Sequence, residues 1–204
     1  MTPAVILAFD TSAAHCAAAL LSGDRLWQRH EAMEKGQAER LIPLLQDLLA
    51  EAGLDWPEVT ALAVGTGPGN FTGVRIAVAA ARGLALALAV PAIGVTRLEA
   101  LAEGLPRPVT VAEDARRGEA YVQHFDLAGP GPARLLALAE AQAIPGARTG
   151  SALPAGLPAA MPLAEAIARI AAARLHRPQP RPAPFYLRGA DAAPPSDPPP
   201  VILP

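Results

Sequence analysis

Ala61-Leu-Ala-Val-Gly-Thr-Gly-Pro-Gly-Asn-Phe-Thr-Gly-Val-Arg75 reads as a short apolar strand, a glycine-rich loop and the start of a helix. The helix is expected over residues 74–89, an Ala/Leu run with almost no polar side. A helix that faces solvent carries a polar stripe, so one that is apolar all round calls for cover on every side. Strand, loop and helix in this order place free amides at a helix N-terminus, where the dipole favours an anion. Phosphate binding is therefore one reading of Gly67, Gly69 and Gly73; a turn that needs glycine's positive φ is the other. The loop is no P-loop, because Gly-Lys-Ser/Thr is absent and Arg75 comes two residues after Gly73. It is no dinucleotide fingerprint either, since one residue too many separates Gly69 from Gly73.

Upstream, the apolar run 5–9 ends at Asp10-Thr11-Ser12, a buried strand leading into a polar turn. Residues 16–21 and 26–30 read as two more strands around the turn Ser22-Gly-Asp24, giving a β-meander. Leu41, Leu44, Leu45, Leu48 and Leu49 recur at helical spacing, so residues 37–52 form an amphipathic helix, with Pro43 in its first turns and Gly53 as the stop. Downstream, Pro91 ends the apolar helix and residues 92–95 form a further strand. Thr96 and Glu99 then spell a capping box for a helix running to about residue 103. The order βββ-α-β-α-β-α argues an α/β fold: a mixed sheet with helices on its faces.

Residues 104–108 break the pattern and mark the expected boundary, with a first lobe over 1–103 and a smaller second lobe over 104–204. In the second lobe, residues 110–112 and 120–125 read as strands around a charged turn at 113–119. A further strand is expected at 135–138 and a helix over 163–176, with Ile167, Ile170 and Ala171 inward. From Pro178 onward, ten of 27 residues are proline, so the tail is expected to be extended. Phe185-Tyr186-Leu187 is its one sticky segment.

A chain of 204 residues with 51% apolar and 18% charged residues is built for a globular core. A net charge of −2 gives no chain-wide attraction for nucleic acid. The single cysteine, Cys16, fits a reducing compartment and reads as a small buried hydrophobe. The N-terminus lacks a signal-peptide pattern, and the nearest approach to a membrane span, residues 74–95, is interrupted by Arg75, Arg82, Gly83 and Pro91. A cytoplasmic protein without a membrane association is expected.

Chemistry is sparse. Asp10, Thr11 and Ser12 stand where actin-like ATPases place an acid near a metal and hydroxyls near phosphates, although the same residues also make an ordinary turn. With Gly67, Gly69 and Arg75 they are the residues available to an anion or nucleotide. His15, His30, His124 and His176 lack metal-ligand spacing, and no nucleophile elbow is present. The uncovered side of the 74–89 helix is assigned to Ala77, Ala81, Leu84 and Leu88, joined by Leu41 and Leu45 of the neighbouring helix. A persistent apolar face of this kind marks a protein interface.

The blocks Ile6-Leu-Ala-Phe-Asp-Thr-Ser12, Glu39-Arg-Leu-Ile-Pro43, Val64-Gly-Thr-Gly-Pro-Gly-Asn-Phe-Thr-Gly-Val-Arg-Ile76, Pro91-Ala-Ile-Gly-Val95 and Asp114-Ala-Arg-Arg-Gly-Glu-Ala-Tyr121 closely resemble the TsaB (YeaZ) family. The resemblance implies a two-lobed, actin-like (ASKHA, ribonuclease H-like) fold. It also implies a non-catalytic role in making N6-threonylcarbamoyladenosine in tRNA. The partners it implies are the catalytic paralogue TsaD, as a heterodimer, and the ATPase TsaE, with tRNA reached through the complex and a homodimer when the chain is alone. No firm cofactor follows, beyond ATP or ADP at the subunit junction. In Gly94-Val-Thr-Arg-Leu-Glu-Ala-Leu101, Arg97 and Leu101 stand where TsaD carries two metal-binding histidines. Many relatives have a histidine where this chain has Gln37. The alternative class is a stand-alone actin-like ATP-dependent phosphotransferase with Asp10 at the metal.

Overall fold

A computed structural model describes residues 3–188 of the chain. Two sheets organise it. The first is formed by β1 (Val5–Asp10), β2 (His15–Ser22), β3 (Arg25–Ala32), β4 (Ala61–Gly65) and β5 (Ala92–Val95), in the order β3-β2-β1-β4-β5. The meander β1–β2–β3 is antiparallel, whereas β4 and β5 run parallel to β1. Parallel neighbours need crossovers, and these are α1 (Gln37–Ala52) and α2 (Phe71–Leu88), as the alternating pattern requires. A short α3 (Arg97–Ala102) follows β5, and its capping box is formed as expected by Thr96 and Glu99.

Strand periodicity sorts side chains by size. Val5, Leu7 and Phe9 of β1 and Leu62 and Val64 of β4 face the α1–α2 layer, where the leucine stripe of α1 is fully buried. Each leucine withdrawn from water in this way stabilises by about 2 kcal/mol. On the other face, Ile6, Ala8, Ala17, Ala19, Ala61 and Ala63 leave a shallow surface. A second alanine-rich helix closes on it.

That helix comes from the far end of the chain. The second half contributes β6 (Val109–Arg116), β7 (Glu119–Phe125), β8 (Arg134–Ala137), α4 (Leu138–Ala143) and β9 (Arg148–Thr149), with sheet order β8-β7-β6-β9. Then α5 (Leu163–Arg174) returns to the first sheet and buries Ala164, Ile167, Ile170 and Ala171 against it. The first sheet is thus built from strands up to Val95 and the second from strands after Val109, while one helix of the second half covers the first sheet.

Three local expectations change. Helix α2 begins at Phe71, not at residue 74, because the Asn70 side chain accepts from the Gly73 amide at 3.0 Å and caps the earlier turn. The charged segment 113–119 is mostly strand: β6 continues to Arg116, and left-handed Arg116, Arg117 and Gly118 confine the turn. Helix α5 ends at Arg174 rather than at residue 176. The tail beyond residue 188 lies outside the described residues.

Candidate functional site

The α1–α2 layer has an inner and an outer side, and the residues assigned to its outer side fall on both. Leu41, Leu45, Ala77 and Ala81 are fully buried in the core, and Leu84 and Leu88 sit half-buried at its edge. Leu41 and Leu45 belong to the same stripe as Leu44 and Leu48, so they turn inward with them. In α2 the side that meets the sheet is Gly73, Val74, Ala77, Val78 and Ala81, and the turn after β1 approaches it closely at Gly73. The outer side carries Ile42, Phe71 and Leu86, which are 36%, 46% and 83% exposed, with Arg75 and Ala79 exposed between the last two. Only five of the 18 residues of α2 are buried, although by length and composition it would pass for a membrane span.

At the C-terminal ends of β1 and β4, the glycine loop closes onto the Asp10–Ser12 turn. A Cβ on Gly69 would lie 2.3 Å from the Ser12 carbonyl oxygen, and one on Gly73 would lie 1.9 Å from that of Thr11. The Asn70 amide donates to the Ser12 carbonyl at 2.7 Å, and the Thr11 hydroxyl donates to the Gly73 carbonyl at 2.7 Å. The Ser12 amide and hydroxyl both donate to Asp10 Oδ1, at 3.0 and 2.9 Å. Asp10, Thr11, Ser12 and Gly69 are therefore brought together, but against one another. Gly67, at φ 89°, gives its carbonyl to the Arg97 amide at 2.7 Å. Arg75 is elsewhere: its guanidinium lies 3.7 Å over the Phe71 ring and donates to the Tyr186 hydroxyl at 3.0 Å.

Asp10 is wholly buried. Burial pushes its carboxyl up, but His15 Nε2 at 2.8 Å, the nearby Arg97 guanidinium and the Ser12 amide outweigh this and hold it below the usual carboxylate range. Arg97 in turn pairs through Nε with Glu113 Oε2 of β6 at 2.7 Å, and Glu113 Oε1 accepts the Ser151 amide at 2.7 Å. A divalent cation or a phosphate beside Asp10 would meet bonded hydroxyls, a closed loop and, for the cation, a resident positive charge. The residues present do not fit either group within this chain's own cleft.

Sequence reasoning missed the strap that crosses this region, although Phe185-Tyr186-Leu187 was its visible signal. The Phe185 amide donates to the Thr66 carbonyl at 2.8 Å, Tyr186 stacks on Phe71 at 5.2 Å between ring centres, and Arg188 pairs with Glu119 of β7. One segment thus touches the glycine loop, the outer side of α2 and the second sheet.

These features can be set beside known proteins. A family model described as "TsaD: tRNA N6-adenosine threonylcarbamoyltransferase" matches residues 31–192. The solved structure of YeaZ from Pseudomonas aeruginosa superposes with a TM-score of 0.74 at 31% identity, covering 90% of this chain and 100% of that one. The chain belongs to the TsaB (YeaZ) family. Its α/β fold is accordingly the actin-like, ribonuclease H-like one. The Escherichia coli (strain K12) tRNA threonylcarbamoyladenosine biosynthesis protein TsaB is 40% identical over 121 residues, 57% of this chain and 52% of that protein. The matched segment thus spans about half the length of that TsaB relative. An uncharacterized Mycobacterium tuberculosis protein is 33% identical over 205 residues, 93% of this chain and 94% of that one.

Proposed function

We propose that this chain is a non-catalytic pairing subunit of the machinery that makes N6-threonylcarbamoyladenosine in tRNA. Its docking surface is the outer side of α1 and α2, and its partner is the catalytic paralogue TsaD, with the ATPase TsaE joining the pair and tRNA reached through the complex. The observation that carries this reading is the outer side of α2, where Leu86 is 83% and Phe71 46% exposed, with Ala79 exposed between them and Arg75 and Arg82 on the same side. A partner helix can cover such a side.

The cleft supports the same division of labour. Arg97 and Leu101 stand where TsaD has two metal-binding histidines, and a guanidinium and an alkyl chain are not metal ligands. Among the described residues, no three His, Cys, Asp or Glu side chains gather to hold a metal. The stand-alone phosphotransferase loses support because the Thr11 and Ser12 hydroxyls donate to Gly73 and Asp10 rather than standing free for phosphates. We place any ATP or ADP of the assembled complex at the subunit junction, held mainly by the partner. Without the partner, the same apolar side serves a homodimer. We place the chain in the cytoplasm, with Cys16 reduced and buried.

The test is co-purification with TsaD, and reconstituted tRNA modification, for wild type, Leu86→Asp and Ile42→Asp. Both substitutions should leave the chain folded and abolish pairing and modification. Undiminished pairing with both would overturn the reading.

A further inference from the structure

Between the carboxylate at the end of β1 and the second sheet, this chain puts an arginine. Arg97 opens α3 directly after β5, so it is carried by the first sheet, and its amide is tied to the Gly67 carbonyl at 2.7 Å. Its side chain reaches Glu113 on β6 of the second sheet, Nε to Oε2 at 2.7 Å, with Glu113 only 6% exposed. Glu113 is fixed from behind by the Ser151 amide on its other oxygen, at 2.7 Å. On the near side stands Asp10, fully buried, with Gly65 making room: a Cβ there would lie 1.9 Å from Asp10 Oδ2.

Two polar atoms in this cluster are buried without any partner, Asp10 Oδ2 and Arg97 Nη1. Buried polar atoms are rarely left so. One belongs to an acceptor and the other to a donor, and their charges act on each other. The polar groups His15, Asp10, Arg97, Glu113 and Ser151 thus run from one sheet to the other, with Asp10 and Arg97 coupled through their charges.

We propose that Arg97 is a built-in cation that fixes the two sheets relative to each other, so that the setting of this chain's cleft requires neither metal nor nucleotide. Two buried carboxylates from different sheets would repel and remain desolvated without it. Removing one partner of a buried ionic cluster is costly because it strands the others. The inference does not rest on the pairing role proposed above. It would hold equally for a chain that never met TsaD.

The experiment is a thermal-melting cycle on the full chain with Arg97→Met, Glu113→Gln, the double variant and Arg97→Lys. Glu113→Gln keeps an oxygen for the Ser151 amide, so it isolates the charge. Arg97→Met should lower Tm by about 10 °C. Glu113→Gln should cost much less in the Arg97→Met background than in the wild type, because the charge it relieves is then uncompensated. Arg97→Lys should recover more than half of the loss. Wild-type Tm should be unmoved by EDTA, by magnesium or manganese, and by magnesium with ATP. Additive losses in the cycle, no recovery with lysine, or a rise of the wild-type Tm with metal or metal–nucleotide would each overturn the proposal. If Arg97→Met does not fold, Arg97→Gln, which removes the charge but keeps a polar head, takes its place in the same cycle.

Discussion

The carbonyl oxygen of Thr11 lies where a side chain on Gly73 would begin, 1.9 Å from the position of its Cβ. The contact is returned by the Thr11 hydroxyl, which donates to the Gly73 carbonyl at 2.7 Å. This pair explains both why a glycine stands inside the first turn of a helix and why the helix can approach the sheet so closely. Gly73→Ala should remove the helical cost of glycine yet destabilise the chain, since overpacking outweighs propensity here, by about 3 kcal/mol. A melting curve should show Tm lower by about 9 °C. An unchanged or raised Tm would mean that the loop gives way easily and that the contact is not a constraint.

The inner and outer sides of α2 should respond oppositely to charge. Ala81 is fully buried against the sheet, and Ala81→Arg should leave little soluble folded protein. Leu86 is 83% exposed, and Leu86→Asp should shift stability by no more than about 0.5 kcal/mol. Circular dichroism and gel filtration of the two variants check this. A folded Ala81→Arg monomer would place the core elsewhere.

The contrast between these two residues also shows where sequence stops being informative. The bounds of α1 were legible to the residue, because its leucines share one stripe and Gly53 is a left-handed stop. The capping box at Thr96 and Glu99 was equally legible, being a local signal. In α2 no stripe exists, so spacing cannot say which of its apolar sides meets the sheet. Ala77 and Ala81 were assigned outward and lie inward. Glu113 was read as part of a turn because acids usually lie in solvent, and the distant Arg97 together with the Ser151 amide makes its burial in β6 tolerable. The return of α5 to the first sheet had no signal at all in local pattern, since its alanines would suit either sheet. At the cleft, the glycines were visible, but what they approach was not: a tight turn and a phosphate place the same demand on a backbone.

The strap at residues 185–188 should be a separable element. Tyr186 is held by stacking on Phe71 and by Arg75, and it is still 44% exposed. Tyr186→Ala should cost about 1 kcal/mol in global stability. Limited proteolysis should then cut near Arg181 or Arg188 several times faster than in the wild type, with the rest of the chain resistant. Equal cleavage rates would show that Phe185 and Arg188 hold the strap without the stack.

Cys16 should be inert as a thiol in the native chain. Burial, the Glu31 carboxylate and Asp10 push it up to about 11, against a smaller opposing effect of Arg40. Thiolate is the reactive form, so a disulfide reagent at neutral pH should label the protein only when denaturant is added. Rapid stoichiometric labelling of the folded chain would show that β2 opens readily.

Acid should destabilise this protein through its tied carboxylates, Glu99 among them. Burial pushes the Glu99 carboxyl up, but the Thr96 amide and hydroxyl and the Arg174 guanidinium, at 2.7 Å, together hold it below its ordinary value. Asp10 is held low in the same sense. A group whose folded pKa is lower than its unfolded one adds stability that is fully present above the unfolded value, and this is lost as pH falls through the folded one. Tm should therefore be flat across neutral pH and fall below about pH 4. Glu99→Gln retains a capping-box side chain but has no proton to take up. Its Tm should be lower at neutral pH and converge on the wild type in acid, so that its acid limb is shallower. Parallel curves for the two proteins would mean that Glu99 is not held low in the folded state.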